Sequence, residues 1–258
     1  MVTIEQIKKL RDATSVSISL CKKALEDSNG NEEKAIEYLR KQGAMKAASK
    51  AERATNEGTI AIKIKNNKIA IVKLACETDF VAKNENFKTL AQILAEKTLE
   101  GKKPEDMKDD INDYVVKVGE NIQILDATII EADSSMSSYS IGSYIHSTGK
   151  LAAIAILDGG DKELSKDICM QIAATNPQFI SPDEVSADLI HKEKEIWRDQ
   201  LKKENKPEAI WDKIIIGKEK KFREENALLT QEFVKDPEKQ VKDILGNVKI
   251  VKMMRVSL

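Results

Sequence analysis

The spacing of apolar residues in the first 54 positions is typical of three short helices. Thr3 and Gln6 form a capping-box pattern at the start of the first helix. The second is expected to end before Gly30, and the third to begin after a capping Asn31 and to stop at Gly43. The apolar stripes of the first two helices are Ile4, Ile7 and Leu10, and Ile18, Cys21 and Leu25. A unit of this size is close to the lower limit for independent folding, which favours a binding module over a catalytic domain.

From residue 58 the period changes from helical spacing to an alternation of apolar and polar residues. Two alternating runs, 60–64 and 69–71, flank a turn at Asn66 and Asn67, which predicts a β-hairpin. A helix is expected to follow and to end near Gly101. Its apolar face consists of Phe87, Leu90, Ile93 and Leu94.

The order strand, strand, helix recurs in the second half of the chain, where two strand-like runs flank a turn at 147–149. A further strand at 120–133 is expected to join the first sheet, and a strand near 248–251 is expected to join the second. We therefore predict an α+β protein with two related core subdomains, at 55–140 and 141–258, each with an antiparallel sheet.

A highly charged pair of helices interrupts the second subdomain at 184 to about 226, with a turn at Pro207. Its expected apolar seam consists of Val185, Leu189, Ile196 and Leu201. The simplest interpretation is an antiparallel helical hairpin. Such a hairpin could be a protruding interaction arm or could only support the second subdomain, and the pattern favours neither.

The charges of the chain nearly cancel, with 42 Lys and Arg against 43 Asp and Glu, so no overall basic field indicates nucleic acid as a partner. The three cysteines, Cys21, Cys76 and Cys169, lie far apart in apolar segments, which is typical of buried free thiols in a reducing compartment. The start of the chain has no apolar signal core, and no apolar run is long enough to cross a bilayer. We expect a cytoplasmic protein without a membrane partner, either bacterial in type or a processed organellar form.

Residue patterns that usually carry catalysis are absent from the sequence. It has only two histidines, His146 and His191, and it lacks a C-x-x-C pair, a phosphate-binding glycine loop and a nucleophile elbow. Carboxylate pairs such as Glu32 and Glu33 are interpreted as solvated positions on helix faces. We therefore expect no catalytic residues, no metal site and no cofactor.

The segment "CETDFVAKNENF", residues 76–87, connects a predicted strand to a predicted helix. In one interpretation Thr78 or Asp79 caps the helix and Phe80 enters the local core. In the other, an exposed loop presents an aromatic wedge beside a carboxylate, a combination that suits binding to a partner and competition for a cation. The spacing alone does not decide between these interpretations.

Four segments resemble the signature segments of the translation elongation factor Ts family. They are "IKKLRDAT" at 7–14, "CKKALEDSNGNEEKAIEYLRKQGAMKAASKA" at 21–51, "TDFVAKNENF" at 78–87 and "LTQEFVKDP" at 229–237. The resemblance implies a three-helix module at 1–54 that is similar to ubiquitin-associated (UBA) domains. It also implies the two α+β subdomains and a coiled-coil helical hairpin.

The same resemblance implies a function in protein biosynthesis. Members of this family are guanine-nucleotide exchange factors for the GTPase elongation factor Tu in translation elongation, and they act without covalent chemistry and without binding the nucleotide themselves. The implied exchange loop consists of Thr78, Asp79, Phe80, Val81 and Ala82. In this family the aromatic residue at the position of Phe80 wedges near the magnesium site of the GTPase, with Asp79 beside it.

Other implied contacts with the GTPase involve Arg11, Ile18 and Ser19 of the three-helix module and His146 of the second subdomain. On spacing alone, His146 is more simply an ordinary turn histidine. The contact at 15–20 is expected to differ in detail, because this chain departs from the usual family residues at Ser15, Ser17 and Leu20. Contacts made by a further C-terminal module of some relatives are expected to be missing, and self-association through the helical hairpin stays open.

Two other classes of function are compatible with the residues themselves. One is a binding module in which the three-helix unit docks on a ubiquitin-like or helical partner without any nucleotide exchange. The other is an α+β enzyme that uses Asp79 and His146, which requires both side chains to converge on one concave pocket.

Overall fold

The structure of the chain is a computed structural model that describes residues 2–14, 16–133 and 138–258; Met1, Ser15 and positions 134–137 lie outside the described residues. The helices are α1 (Ile4–Thr14), α2 (Ile18–Asp27), α3 (Glu32–Lys50), α4 (Asp79–Lys83), α5 (Glu85–Leu99), α6 (Lys108–Val118), α7 (Lys162–Thr175), α8 (Ala187–Lys203), α9 (Trp211–Asn226) and α10 (Val241–Leu245). The strands are β1 (Glu57–Lys65), β2 (Lys68–Cys76), β3 (Gln123–Glu131), β4 (Tyr139–Ile145), β5 (Leu151–Asp158), β6 (Glu232–Phe233), β7 (Asp236–Gln240) and β8 (Lys249–Ser257).

The described residues divide into two compact units. The first contains the described residues up to Asp133, together with Ser147–Leu151 and the last two residues. The second contains the described residues of 138–146 and 152–256. A three-stranded sheet has the order β1–β2–β3, and another has the order β4–β5–β8. Helices combined with antiparallel strand pairs confirm the predicted α+β class.

The sheet of the first unit begins with the predicted hairpin of β1 and β2, whose turn residue Asn66 has a φ of +55°. A contiguous core lies between this sheet and α5, and Val72, Phe87 and Leu94 are fully buried in it. Ile93, which was predicted on the same stripe, is partly exposed. Because the core fixes the end of β2 and the start of α5, it also limits where the connection between them can lie.

The three N-terminal helices have the predicted caps. Thr3 N donates to Gln6 Oε1 at 2.9 Å and Gln6 N donates to Thr3 Oγ1 at 3.2 Å, which confirms the capping box. Asn31 Oδ1 accepts a hydrogen bond from Lys34 N at 2.9 Å, which confirms the cap of α3. The core of these helices consists of Leu10, Val16, Cys21, Ala24, Leu25, Ala35 and Leu39, and Val116 of α6 completes it.

Two apolar residues of these helices lie outside that core. Ile4 is 74% exposed and Ile18 is 57% exposed, although both belong to the predicted apolar stripes. Each lies in the first turn of its helix, where the neighbouring helices do not cover it. The periodicity was therefore right for the helices and wrong for the burial of their first apolar residues.

The expected end of the third helix at Gly43 is wrong, because α3 continues to Lys50. Gly43 lies where α3 packs against α6. A Cβ atom at this position would lie 2.8 Å from Val116 Cγ2 and 2.9 Å from the backbone oxygen of Asn112. The glycine thus allows close approach of a second helix instead of ending its own.

In the second unit α7 packs on β4, as the recurring strand–strand–helix order predicts. Gly142 of β4 is required there, because a Cβ atom would lie 2.3 Å from the backbone oxygen of Ser165. The small β6–β7 hairpin is tied to α7 by the fully buried Gln171. Its Nε2 donates to Glu232 O at 3.0 Å and its Oε1 accepts from Val234 N at 2.8 Å, so both ends of the amide are satisfied.

The predicted apolar seam of the charged segment is right for Val185 and Leu201, which are buried, and the segment contains the two expected helices, α8 and α9. Trp197, Leu201 and Ile215 are buried between them, and the rings of Trp197 and Phe222 meet edge to face at 5.9 Å. Ile196, predicted in the seam, is 49% exposed. No helix among the described ranges is long and apolar enough to span a membrane.

The three cysteines are buried free thiols, as predicted. Burial raises the pKa of Cys76 and of Cys169 to about 12. Both thiols are therefore protonated and unreactive at neutral pH.

Candidate functional site

The segment Thr78–Ala82 contains the N-cap and most of a single helical turn, α4, between the end of β2 and the start of α5. Thr78 is the N-cap, with extended backbone angles (φ −121°, ψ 154°), and its Oγ1 accepts a hydrogen bond from Val81 N at 3.4 Å. Asn84 ends this turn and caps α5, since its Oδ1 accepts from Asn86 N at 2.8 Å. Thr78, one of the two caps named in the first interpretation, therefore caps this short turn, whereas Asn84 caps the longer helix that bears Phe87.

Side chains three and four positions apart share one face of a helical turn. Val81 is half-buried and Ala82 is buried, and both pack against the core beneath the sheet. Asp79 and Lys83 lie on the opposite, solvent-facing side. The sequence "TDFVA" therefore forms a turn with one anchored face and one face that is free to meet a partner.

Phe80 lies on the outward face and is 83% exposed. This exposure excludes the interpretation in which Phe80 enters the local core. An exposed phenylalanine leaves a large apolar surface in water, and it gains free energy only when another surface covers it. The second interpretation, an aromatic wedge beside a carboxylate, agrees with this position.

Asp79 forms a salt bridge with Lys83 one turn later, with Oδ2 and Nζ 2.6 Å apart. The hydrogen bond from Lys83 lowers the pKa of Asp79 below its usual value, and the same bond raises the pKa of Lys83. Asp79 is thus a carboxylate at neutral pH. A depressed pKa is opposite in direction to that of a carboxyl group that acts as a general acid at neutral pH.

A residue that the sequence analysis missed holds the base of this turn. Glu120 lies just after Gly119, which ends α6 with a φ of +76°. Its Oε2 accepts hydrogen bonds from Glu77 N at 3.2 Å and from Thr78 N at 3.0 Å. Its Oε1 accepts from Thr78 Oγ1 at 2.6 Å. One carboxylate therefore receives three hydrogen bonds from two adjacent residues at the start of the candidate site.

The contact is reciprocal. Glu77 Oε1 accepts a hydrogen bond from Asn121 N at 2.6 Å, and it also lies 3.4 Å from Arg53 Nη1. The side chain of each glutamate thus binds backbone N–H groups of the segment that carries the other. We call this arrangement the 77/120 clamp. Nothing in the spacing of the sequence could have shown it, because its two halves lie more than forty positions apart.

The N-terminal residues expected to meet the GTPase are all exposed. Arg11 lies in α1, and Ile18 and Ser19 begin α2, which packs on α1. Ser19 Oγ lies 3.3 Å from Ser17 Oγ, so two hydroxyls stand beside the exposed Ile18. These positions are available for a contact, and the residue at 15 is outside the described part of the chain.

His146 is exposed at the end of β4, in the second unit. The following turn, Ser147–Leu151, belongs to the first unit, where Gly149 O accepts a hydrogen bond from Ile60 N at 2.8 Å. Lys150 also pairs with Glu57 there, with Nζ and Oε2 2.6 Å apart. The expected site residues thus fall into three groups: the α4 turn, the end of α1 with the start of α2, and His146.

Within residues 2–14, 16–133 and 138–258, no group of three or more His, Cys, Asp or Glu side chains is placed to hold a metal ion.

Comparison with known proteins identifies one family. The family model described as Elongation factor TS matches residues 77–258, which include the α4 turn and Glu120. The chain is 40% identical to Elongation factor Ts of a Hydrogenobaculum species, over 94% of this chain and 92% of that protein. It is 41% identical to Elongation factor Ts of a Nitratiruptor species, over 100% and 93%. It is 39% identical to that of Hahella chejuensis, over 98% and 91%.

The family model covers well over half of the chain, and each of these relatives aligns over more than nine-tenths of both proteins. The resemblance carried by four short segments therefore extends along the whole described fold and is confirmed. This chain belongs to the elongation factor Ts family.

Proposed function

We propose that this chain is a guanine-nucleotide exchange factor for elongation factor Tu in translation elongation. Membership of the elongation factor Ts family supports the proposal. The proposal centres on the α4 turn because Phe80 is exposed there, while the other face of the turn is anchored in the core. The factor acts in the cytoplasm, and it neither binds the nucleotide nor forms a covalent bond.

The mechanism is differential binding. A factor that binds the nucleotide-free GTPase more tightly than the nucleotide-bound form must weaken nucleotide binding by the same ratio, because the two equilibria are linked. In this mechanism Phe80 is covered when it inserts near the magnesium site of the GTPase. Burial of one phenylalanine side chain contributes about 1.5–3 kcal/mol, equivalent to about one to two decades in a rate or equilibrium constant.

Other groups assist the α4 turn in this proposal. The three N-terminal helices act as the UBA-like docking module, with Arg11, Ile18 and Ser19 in contact with the GTPase. His146 adds a contact from the second unit. The helices α8 and α9 correspond to the coiled-coil hairpin. Asp79 stands beside the wedge, where a carboxylate at neutral pH can attract the cations of the partner's site.

The decisive experiment measures release of a fluorescent GDP from elongation factor Tu by stopped flow, with saturating wild-type chain or with Phe80→Ala. We expect wild-type chain to accelerate release. We expect Phe80→Ala to lose about tenfold or more of the acceleration, which corresponds to about 1.4 kcal/mol of barrier. Because Phe80 is exposed, the variant should unfold at the wild-type temperature.

A matched control is Leu125→Ala, which removes an exposed apolar side chain of β3 in the same unit without touching the α4 turn. It should exchange nucleotide like the wild type. If Phe80→Ala and the wild type accelerate release equally, the wedge role of Phe80 is wrong. If neither accelerates release while both bind the GTPase, the chain is a binding module without exchange activity.

A further inference from the structure

The 77/120 clamp includes hydrogen bonds to Thr78, the residue that caps the α4 turn. Thr78 Oγ1 donates its proton to Glu120 Oε1 at 2.6 Å, so its lone pairs are directed elsewhere and accept from Val81 N. A chain of hydrogen bonds thus leads from Glu120 through Thr78 to the residue next to Phe80. The carboxylate selects the hydroxyl orientation that caps the turn.

We infer that Glu120 is a positioning residue for nucleotide exchange. It holds the backbone at Glu77 and Thr78 in one conformation, so that Phe80 already points outward before the GTPase arrives. This inference rests on the proposed function. It adds Glu120, a residue that does not contact the GTPase in the proposed mechanism.

The physical reason is pre-organisation. A segment that is ordered before binding loses less conformational entropy when the partner covers it. Without the Glu120 carboxylate, the N–H groups of Glu77 and Thr78 lose their acceptor and the Thr78 hydroxyl is free to rotate. The base of the turn then samples other conformations, and ordering it becomes part of the step in which Phe80 acts.

The experiment compares the maximum rate of GDP release and the half-saturating concentration for Glu120→Ala and Glu120→Gln. The expected loss in maximum rate for Glu120→Ala is about tenfold, with little change in half-saturating concentration, since the N-terminal helices are untouched. The maximum rate for Glu120→Gln should lie between those of the wild type and Glu120→Ala. Its amide oxygen still accepts a hydrogen bond, whereas its NH₂ group faces donors. The control, Glu131→Gln, removes one carboxylate charge of β3 and its salt bridge with Lys68 of β2, away from the clamp.

A double-mutant cycle separates positioning from general damage. If Glu120 acts by presenting Phe80, adding Glu120→Ala to Phe80→Ala should cost no more than about twofold further, because the two residues act as one unit. An undiminished loss in the Phe80→Ala background would overturn the inference. So would a maximum rate for Glu120→Ala equal to that of the wild type.

Hydrogen–deuterium exchange provides a readout that does not depend on the GTPase. In Glu120→Ala the amides of Val81 and Ala82 should exchange faster, while amides in the middle of α5 should keep their protection. Equal loss of protection in α5, or no change at Val81 and Ala82, contradicts the positioning role. If the wild-type chain fails to accelerate GDP release, the proposed function fails, and this measurement alone decides whether Glu120 orders the turn.

Discussion

At the scale of single residues, the α4 turn presents Phe80 to solvent while the Glu120 carboxylate holds the base of the turn. The cap at Thr78 follows from local chemistry, because its hydroxyl and the N–H of Val81 are three positions apart. The exposure of Phe80 could not be predicted, since a phenylalanine in that position can turn inward or outward with the same spacing. Glu120 was missed because its partners are distant in sequence and close only in the fold.

The Asp79–Lys83 pair gives a prediction at this scale. Replacement of Lys83 by Met should raise the pKa of Asp79 toward the ordinary value of an aspartate, because the hydrogen bond that lowers it is lost. Carbon-13 NMR titration of the Asp79 carboxyl group measures this change directly. The control Lys88→Met removes the neighbouring pair with Glu85 and should leave the pKa of Asp79 unchanged.

The sign of the associated pH effect follows from linkage. A carboxyl group whose pKa is lower in the folded state stabilises the fold above its unfolded pKa, and this contribution is lost as the pH falls through its folded pKa. The wild type should therefore be more stable than Lys83→Met at neutral pH, and the free energies of unfolding of the two proteins should become equal in acid. A difference that persists below the folded pKa would show that Lys83 acts by packing and not through Asp79.

At the scale of elements, apolar periodicity located the helices and strands, and it was weakest where two helices meet. The sequence pattern predicts a helix end at Gly43, because glycine commonly follows a last turn, yet Gly43 lies inside α3 where that helix packs against α6. In α8 the seam passes through Trp197 and not through Ile196. A shift of one position is enough to exchange buried and exposed faces, and only the partner helix decides it.

The two helical glycines Gly43 and Gly217 give opposite predictions for the same substitution. Gly43→Ala should destabilise the chain by about 1–2 kcal/mol, because its methyl group meets Val116 and the backbone of Asn112, and overpacking outweighs the gain in helix propensity. Gly217→Ala in α9 has open space around its methyl group and should stabilise by about 0.5–1 kcal/mol. Urea denaturation followed by circular dichroism measures both shifts. A stabilising Gly43→Ala would show that the helices move apart at little cost.

At the scale of the whole molecule, the expected contacts with the GTPase are distributed over the chain. The α1 and α2 helices, the α4 turn and His146 come from segments far apart in sequence, and two compact units carry them. Burial of one phenylalanine side chain contributes about one to two decades in a rate or equilibrium constant. Phe80 alone therefore does not account for a large acceleration of nucleotide release. The proposed mechanism therefore needs a further contribution, and loss of the magnesium ion that holds the diphosphate would supply it.

This requirement makes the exchange reaction sensitive to magnesium. Raising free magnesium from trace to millimolar levels should slow GDP release driven by this chain, because magnesium favours the nucleotide-bound GTPase, which the factor binds less tightly. The rate is measured by stopped flow at constant ionic strength, with potassium chloride in place of magnesium chloride as the control. Phe80→Ala should show a weaker dependence on magnesium than the wild type, since the wedge is proposed to act near the ion. A wild-type rate that does not change with magnesium would mean that the chain releases GDP by distorting the nucleotide site without displacing the ion.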